Sequence, residues 1–132
     1  PSAEEDGGDS EAAAQTEGGE LHLFEENARG ATLGESSFNR NWLTAAYGYD
    51  AVSSFLDKTI VCSGSTLGQK TAIESYLRAM VTQFDVTKCK SKGCDQGFHN
   101  YLHYSGGLNG AEGIGRIEVH GQGKGIINNL GL

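Results

Sequence analysis

Three short segments of the chain have the alternation or the β-branched composition of β-strands. The first is Leu21–Phe24, and the second is Lys58–Cys62, in which three β-branched residues follow one another. The third is Ile117–His120. Glu118 within it and Arg116 just before it are expected to face outward. The pattern therefore predicts three strands that are widely separated along the chain.

The longest amphipathic segment follows the second predicted strand. Thr71 and Glu74 form a capping-box pattern at its start. Its apolar residues recur at intervals of three and four, which is typical of one buried helix face. This stripe consists of Ile73, Tyr76, Leu77, Met80, Val81 and Phe84.

Two shorter helices are also predicted. Phe38 and Trp42 lie on one face of the first, and Ser37 and Asn39 are both candidate N-caps. The second spans Asp95–Tyr104 and ends before a pair of glycines. Strands and helices thus alternate, which predicts an α/β fold with a small sheet and flanking helices. The predicted core consists of Trp42, Ile60, Ile73, Leu77, Met80, Phe98 and Leu102.

Charge divides the chain at about residue 20. The net charge of -7 is concentrated in residues 1–20, which hold seven acidic residues and no Lys or Arg. This segment has no large apolar side chain, so we expect an acidic, flexible tail that becomes ordered on a protein partner. Residues 21–132 carry equal numbers of acidic and basic residues and form the predicted domain. A neutral domain does not favour nucleic-acid binding.

The chain also lacks the signatures of membrane insertion. No run approaches the roughly 18 consecutive apolar residues of a membrane helix. The sequence begins at Pro1 and has no signal-peptide pattern. We therefore interpret it as a processed chain, favouring an organelle or secretory compartment, or as a fragment of a longer protein.

The three cysteines allow two interpretations. Cys89 and Cys94 are joined by a four-residue tether, which permits a disulfide in an oxidising compartment and free thiols in a reducing one. In the first case Cys62 should be free and buried. The same two cysteines, with His99 and His103, form a possible zinc ligand set, although the spacing differs from that of common zinc fingers.

Three further groups of residues are candidates for ligand binding, and each has a purely structural alternative: a tight turn for the first, a helix cap by Asp95 for the second, and exposed loop residues without a role for the third. Cys62–Gly68 is rich in small residues and is predicted to turn between a strand and a helix, which would allow close approach of a ligand. Asp95–Asn100 places several polar side chains at a helix start, where they suit sugar hydroxyls. His120 and Lys124 in the Gly-rich C-terminal segment have the chemistry to meet a diphosphate.

Four segments occur in an order that resembles a known family. They are Leu21–Glu26, Phe38–Trp42, Ile60–Gly68 and Asp95–Leu102. Together they resemble the C-terminal half of uncharacterised glycosyltransferase-like proteins of the A-type fold, found in algae, plants and bacteria. The resemblance covers about residues 20–132.

The resemblance implies roles for particular residues. Asp95 would be the catalytic carboxylate, which binds the acceptor or abstracts its proton. The donor diphosphate would lie near His120 and Lys124. The acceptor would be bound by Ser63, Gly64, Gln96 and Asn100.

The chain departs from this family in one respect that affects activity. It has no Asp-x-Asp motif, which in the family holds the divalent metal, and residues 1–20 do not have the pattern of a nucleotide-binding half. We therefore expect no cofactor in this chain, with Mn²⁺ or Mg²⁺ bound only where an N-terminal half is present. The hypotheses are a partial glycosyltransferase-like domain that is inactive alone, a structural subunit of a larger algal assembly of the membrane-associated photosynthetic kind, and a small zinc module.

Overall fold

The computed structural model describes residues 18–26 and 29–129, and most of the predicted acidic tail lies outside this range. Within it the chain alternates between strands and helices, as expected for an α/β domain. The elements are β1 (Gly18–Glu25), α1 (Ser37–Tyr47), α2 (Tyr49–Val52), a 3₁₀ turn (Ser53–Phe55), β2 (Val61–Gly68), α3 (Lys70–Thr87), α4 (Cys94–Tyr104) and β3 (Gly113–His120).

The three strands form one mixed sheet in the order β2-β1-β3. The central strand β1 runs antiparallel to β2 and parallel to β3. Its apolar residues alternate, so that Leu21 and Leu23 are fully buried in a core that also contains Ala72 and Tyr76 of α3. The predicted α/β architecture is confirmed. β1 begins at Gly18, so residues 18–20, which the sequence placed in the tail, belong to the strand.

The second core lies between α1, α4 and the segment before β2. It contains Leu33, Leu43, Val52 and Ile60. Of the residues predicted to be buried, Ile60, Phe98 and Leu102 are buried, whereas Trp42, Ile73 and Met80 are half-buried. The N-cap of α1 is Ser36, whose hydroxyl accepts a hydrogen bond from Asn39 N, so neither predicted N-cap is correct.

Helix α3 turns a different face to the sheet from the one that its apolar stripe predicts. Ala72, Ser75 and Tyr76 are buried, whereas Leu77 is 53% exposed, so the prediction of a buried Leu77 was wrong. A Cβ atom on Gly113 (φ 94°) would lie 2.7 Å from Thr71 O, so the start of α3 approaches β3 closely at this glycine. The predicted capping box is also absent, because Gln69 is the N-cap and makes no side-chain capping bond.

Strand β2 differs from its prediction in extent and in shape. The segment Ser63–Ser65, predicted as a turn, lies inside the strand. Pairing with β1 shifts between Leu23, which faces Thr66, and Glu25, which faces Val61. The intervening small residues therefore form a bulge in the ladder. A bulge leaves backbone groups without a strand partner, and these groups bond to α4 instead.

Candidate metal centre

The polar residues predicted to bind an acceptor lie where α4 meets β2. Gln96 and Asn100 are buried, and their side-chain amides bond to the backbone of β2. Ser63 N donates to Gln96 Oε1 at 2.8 Å, so the structure brings these two predicted residues together. Gln96 Nε2 in turn donates to Val61 O and to Asn39 Oδ1. These amides hold α4 against the sheet.

The other predicted site residues on these two elements are more accessible. Asp95 lies in the first turn of α4 and is exposed, as is Gly64 in the bulge of β2. Ser63 is half-buried. The catalytic and acceptor-binding roles implied by the resemblance stay predictions.

The four residues of the alternative zinc site have other partners. Cys89 and Cys94 form a disulfide, with their Cα atoms 6.2 Å apart, so their sulfurs are not thiolate ligands in this structure. His99 is buried, and its Nδ1 lies 2.6 Å from the Tyr76 hydroxyl. His103 is half-buried beside the ring of Tyr104. Cys62 is free, as predicted for the oxidised chain, but it is only half-buried.

A different set of metal-ligating side chains meets on the sheet face opposite the helices. His22 of β1 and Glu118 and His120 of β3 each offer one ligand atom, and these atoms all lie within 4.8 Å of one another. His22 Nδ1 is 2.8 Å from His120 Nε2 and 3.4 Å from Glu118 Oε2. His120 Nε2 is 3.8 Å from the same carboxylate oxygen.

The parallel pairing of β1 and β3 brings these three residues together. His22 faces Glu118 across the ladder, and Phe24 faces His120. Successive side chains of a strand point to opposite faces, so residues two apart share a face. Glu118 and His120 therefore stand side by side next to His22, whose strand buries Leu21 and Leu23 in the core on its other face.

Two charged side chains, Glu20 and Arg116, contact the residues of this cluster from outside it. His22 Nε2 lies 3.3 Å from Glu20 Oε2, so the ring nitrogen that faces away from the cluster has a carboxylate partner. Arg116 Nη2 lies 2.7 Å from Glu20 Oε1 and 3.1 Å from Glu118 Oε1. Carboxylates that bond the outer nitrogen of a ligating His fix its ring orientation and its tautomer. The guanidinium holds both carboxylates while leaving Glu118 Oε2 directed at the histidines.

The separations between ligand atoms suit a four-coordinate zinc ion. Zn–N and Zn–O bonds of about 2.0–2.1 Å in a tetrahedron place ligand atoms about 3.3 Å apart. The observed distances of 2.8, 3.4 and 3.8 Å lie on both sides of that value. Binding would require the two imidazole nitrogens to separate by about half an ångström. Two His and one carboxylate are also a donor set of catalytic zinc and non-haem iron sites.

A pocket of about 440 Å³ adjoins the two histidines. His120 and Lys124, which the sequence predicted to act together, both line it. The C-terminal segment forms one wall because a turn joins Lys124 N to Gly121 O and Asn129 Nδ2 donates to Glu25 O. A Cβ atom on Gly125 would lie 3.0 Å from His120 Cβ, so this wall fits closely against the cluster.

Sequence reasoning identified His120 but missed His22 and Glu118. A signal was present, because β1 and β3 each carry a Glu-x-His pattern, at Glu20–His22 and at Glu118–His120. In a strand this spacing places the carboxylate and the imidazole on one face. Only the pairing of the two strands shows that the two patterns meet.

Comparison with known proteins assigns no family to the chain: no protein-family model, no curated protein and no solved structure matches it.

Within the described range, no helix combines the length and the apolar composition that crossing a membrane requires.

Proposed function

We propose that this domain binds a divalent transition-metal ion through His22 Nδ1, Glu118 Oε2 and His120 Nε2. The observation that carries the proposal is the convergence of these three atoms on adjacent strands, at distances of 2.8, 3.4 and 3.8 Å. Two imidazoles and one carboxylate match the ligand preference of zinc and of its neighbours in the first transition row.

Burial and charge support the same proposal. The side chains of His22 and His120 are 19% and 26% exposed, so the cluster is sheltered but accessible from solvent. Glu118 supplies one negative charge next to the imidazoles, and Arg116 prevents its carboxylate from turning away. In the metal-free protein His22 Nδ1 and His120 Nε2 are at hydrogen-bonding distance, 2.8 Å apart, and a divalent cation would replace this hydrogen bond with a bond to each nitrogen.

Calorimetric titration of the metal-free protein with zinc tests the proposal. We expect binding at one site, with at least a 100-fold loss of affinity in His22→Gln and in His120→Gln. His103→Gln is the matched control, because His103 is a partly buried histidine outside the cluster. Zinc binding weaker than millimolar, or equal affinity in all three variants, would contradict the proposal. Circular dichroism of each variant separates loss of the site from loss of the fold.

A partial glycosyltransferase-like domain is the second candidate. It is supported by the shared pocket of His120 and Lys124, the two residues that the resemblance places near the donor diphosphate. The absence of an Asp-x-Asp motif leads us to expect no catalysis by this chain alone. Calorimetry with sugar nucleotides and manganese should show no binding tighter than millimolar. Micromolar binding would show that this chain holds a donor site by itself.

A further inference from the structure

The pocket beside the metal cluster has a chemistry that defines a class of ligand, and the inference rests on the metal site proposed above. Zinc with three protein ligands keeps a fourth coordination position for water or substrate. His22 and His120 line both the cluster and the pocket. The pocket therefore adjoins the place where these two histidines would hold a metal ion.

The electrostatic balance of this region favours an anion. A divalent ion brings two positive charges, and Arg116 is shared by the carboxylates of Glu20 and Glu118. The carboxylate of Glu25 also lies near this region, beside Gly121, and with Lys124 counted the positive charges still exceed the three negative ones by one. Lys124 adds a positive charge at the pocket wall, and among the described residues its ammonium group has no ion-pair partner. An oxygen anion would thus bind the metal and lie near a cation.

The remaining walls of the pocket are apolar. Phe24 stacks on His120 with ring centroids 5.1 Å apart, and Leu67 faces His22 across the β1–β2 ladder. Leu67 and Ile126 are 41% and 83% exposed. An apolar chain lying against these side chains would remove them from water, which is favourable in proportion to the area buried. The volume of about 440 Å³ is in the ~300–1,000 Å³ range of small-molecule sites.

We infer that this pocket binds a small carboxylic acid with an aliphatic chain, whose carboxylate ligates the metal and whose chain lies against the exposed side chains of Leu67 and Ile126. Lys124 would bond the second carboxylate oxygen. No covalent step is involved. A compact polyanion such as a diphosphate would use the metal and Lys124 but would leave the apolar walls without a partner.

Cobalt(II) is a suitable probe, because its visible absorption reports both its binding and any change in its ligands. The cobalt-loaded protein is titrated with octanoate, acetate and pyrophosphate. We expect each carboxylate to change the cobalt spectrum, with octanoate binding at least tenfold more tightly than acetate. Leu67→Ser should reduce this preference severalfold, and Lys124→Gln should weaken both carboxylates severalfold. Leu67→Ser should not alter cobalt affinity, since Leu67 is neither a ligand nor charged, whereas Lys124→Gln removes a nearby positive charge and should not weaken cobalt binding.

Leu77→Ser is the matched control, because Leu77 is a similarly exposed leucine on α3. This substitution should leave the affinity for cobalt and the affinity for octanoate unchanged. A normal cobalt spectrum that octanoate does not change, or octanoate binding no tighter than acetate, would overturn this inference alone. Pyrophosphate binding more tightly than octanoate would overturn it in favour of a diphosphate site. Failure of the protein to bind cobalt would overturn both this inference and the metal site.

Discussion

The side chain of Asn100 hydrogen-bonds both backbone polar groups of Val61. Its Oδ1 accepts from Val61 N, and its Nδ2 donates to Val61 O, each at 2.9 Å. A neighbouring strand would bond these two groups in the same way. The Asn100 amide on α4 therefore takes the place of a strand partner for Val61, because β2 lies at an edge of the sheet. Asn100 is fully buried, so these two hydrogen bonds lie in the protein interior.

Replacing Asn100 with Ala should therefore destabilise the domain. Val61 N would lose its partner in a buried position, which costs about 1–3 kcal/mol, whereas Val61 O would keep the bond from Gln96. Urea unfolding measures the difference. Asn109→Ala is the control, since Asn109 is exposed and its loss should change stability by less than about 0.5 kcal/mol. Equal effects of the two substitutions would show that the amide does not support the strand.

The stability of the domain should fall below about pH 6.5 because of His99. Burial, and secondarily the charge of His103, lower the pKa of His99 to about 4. The unfolded chain, with an ordinary pKa near 6.5, takes up a proton in this range and the folded chain does not. The free energy of unfolding should therefore be unaffected above about pH 6.5 and fall by about 3 kcal/mol between about pH 6.5 and 4.

The His99→Gln variant isolates this contribution from that of the carboxylates. Its unfolding free energy should fall less steeply between about pH 6.5 and 4 than that of the unmodified chain. The variant loses the bond to Tyr76, so the comparison uses the slope with pH and not the stability at one pH. Parallel pH profiles for the two proteins would exclude His99 as the group responsible.

Two leucines, Leu43 in α1 and Leu77 in α3, should respond differently to truncation. Leu43 is fully buried and Leu77 is 53% exposed. Leu43→Ala removes packed methyl groups and should cost about 2–5 kcal/mol. Leu77→Ala removes a side chain that is largely in water and should cost less than about 1 kcal/mol. Chemical denaturation measures the free energy of unfolding of both variants. A large decrease in Leu77→Ala would mean that other residues bury this face of α3.

The disulfide between Cys89 and Cys94 predicts the thiol content of the protein. Thiol counting under denaturing, non-reducing conditions should detect only Cys62. The Cys62→Ser variant should then show no thiol. Reduction should lower the free energy of unfolding by about 2 kcal/mol, because the bond closes a short loop in the unfolded chain. Three reactive thiols in the untreated protein would show that it is isolated in the reduced form.

The contact between Glu20 Oε2 and His22 Nε2 predicts an effect on metal affinity. Glu20→Ala removes the carboxylate partner of His22 Nε2 and should weaken zinc binding about 10–100-fold. Glu74→Ala is a matched control, since Glu74 pairs with Lys70 on α3 and its side chain is 48% exposed, against 46% for Glu20. Equal zinc affinity in the two variants would show that Glu20 does not orient the histidine.

Local sequence patterns predicted the elements that contain the candidate site, but not always their limits. Alternating residues identified β1 and β3, and the apolar face around Phe98 identified α4. The predicted turn at Ser63–Ser65 failed, because small residues suit a turn and a strand bulge equally well. The side chains of α4 that satisfy this bulge are more than thirty positions away, beyond the reach of a local pattern.

The sequence by itself determined which side chains share a face, because this depends only on the period of the strand or helix. Glu20 and His22 are therefore neighbours, and so are Glu118 and His120, in any structure in which these segments are strands. Only the tertiary structure decided that the two pairs meet. His22 and His120 are 98 positions apart, and it is the pairing of β1 with β3 that brings their nitrogens to 2.8 Å. Strand order depends on how the helices cover one face of the sheet, which is a property of the whole core.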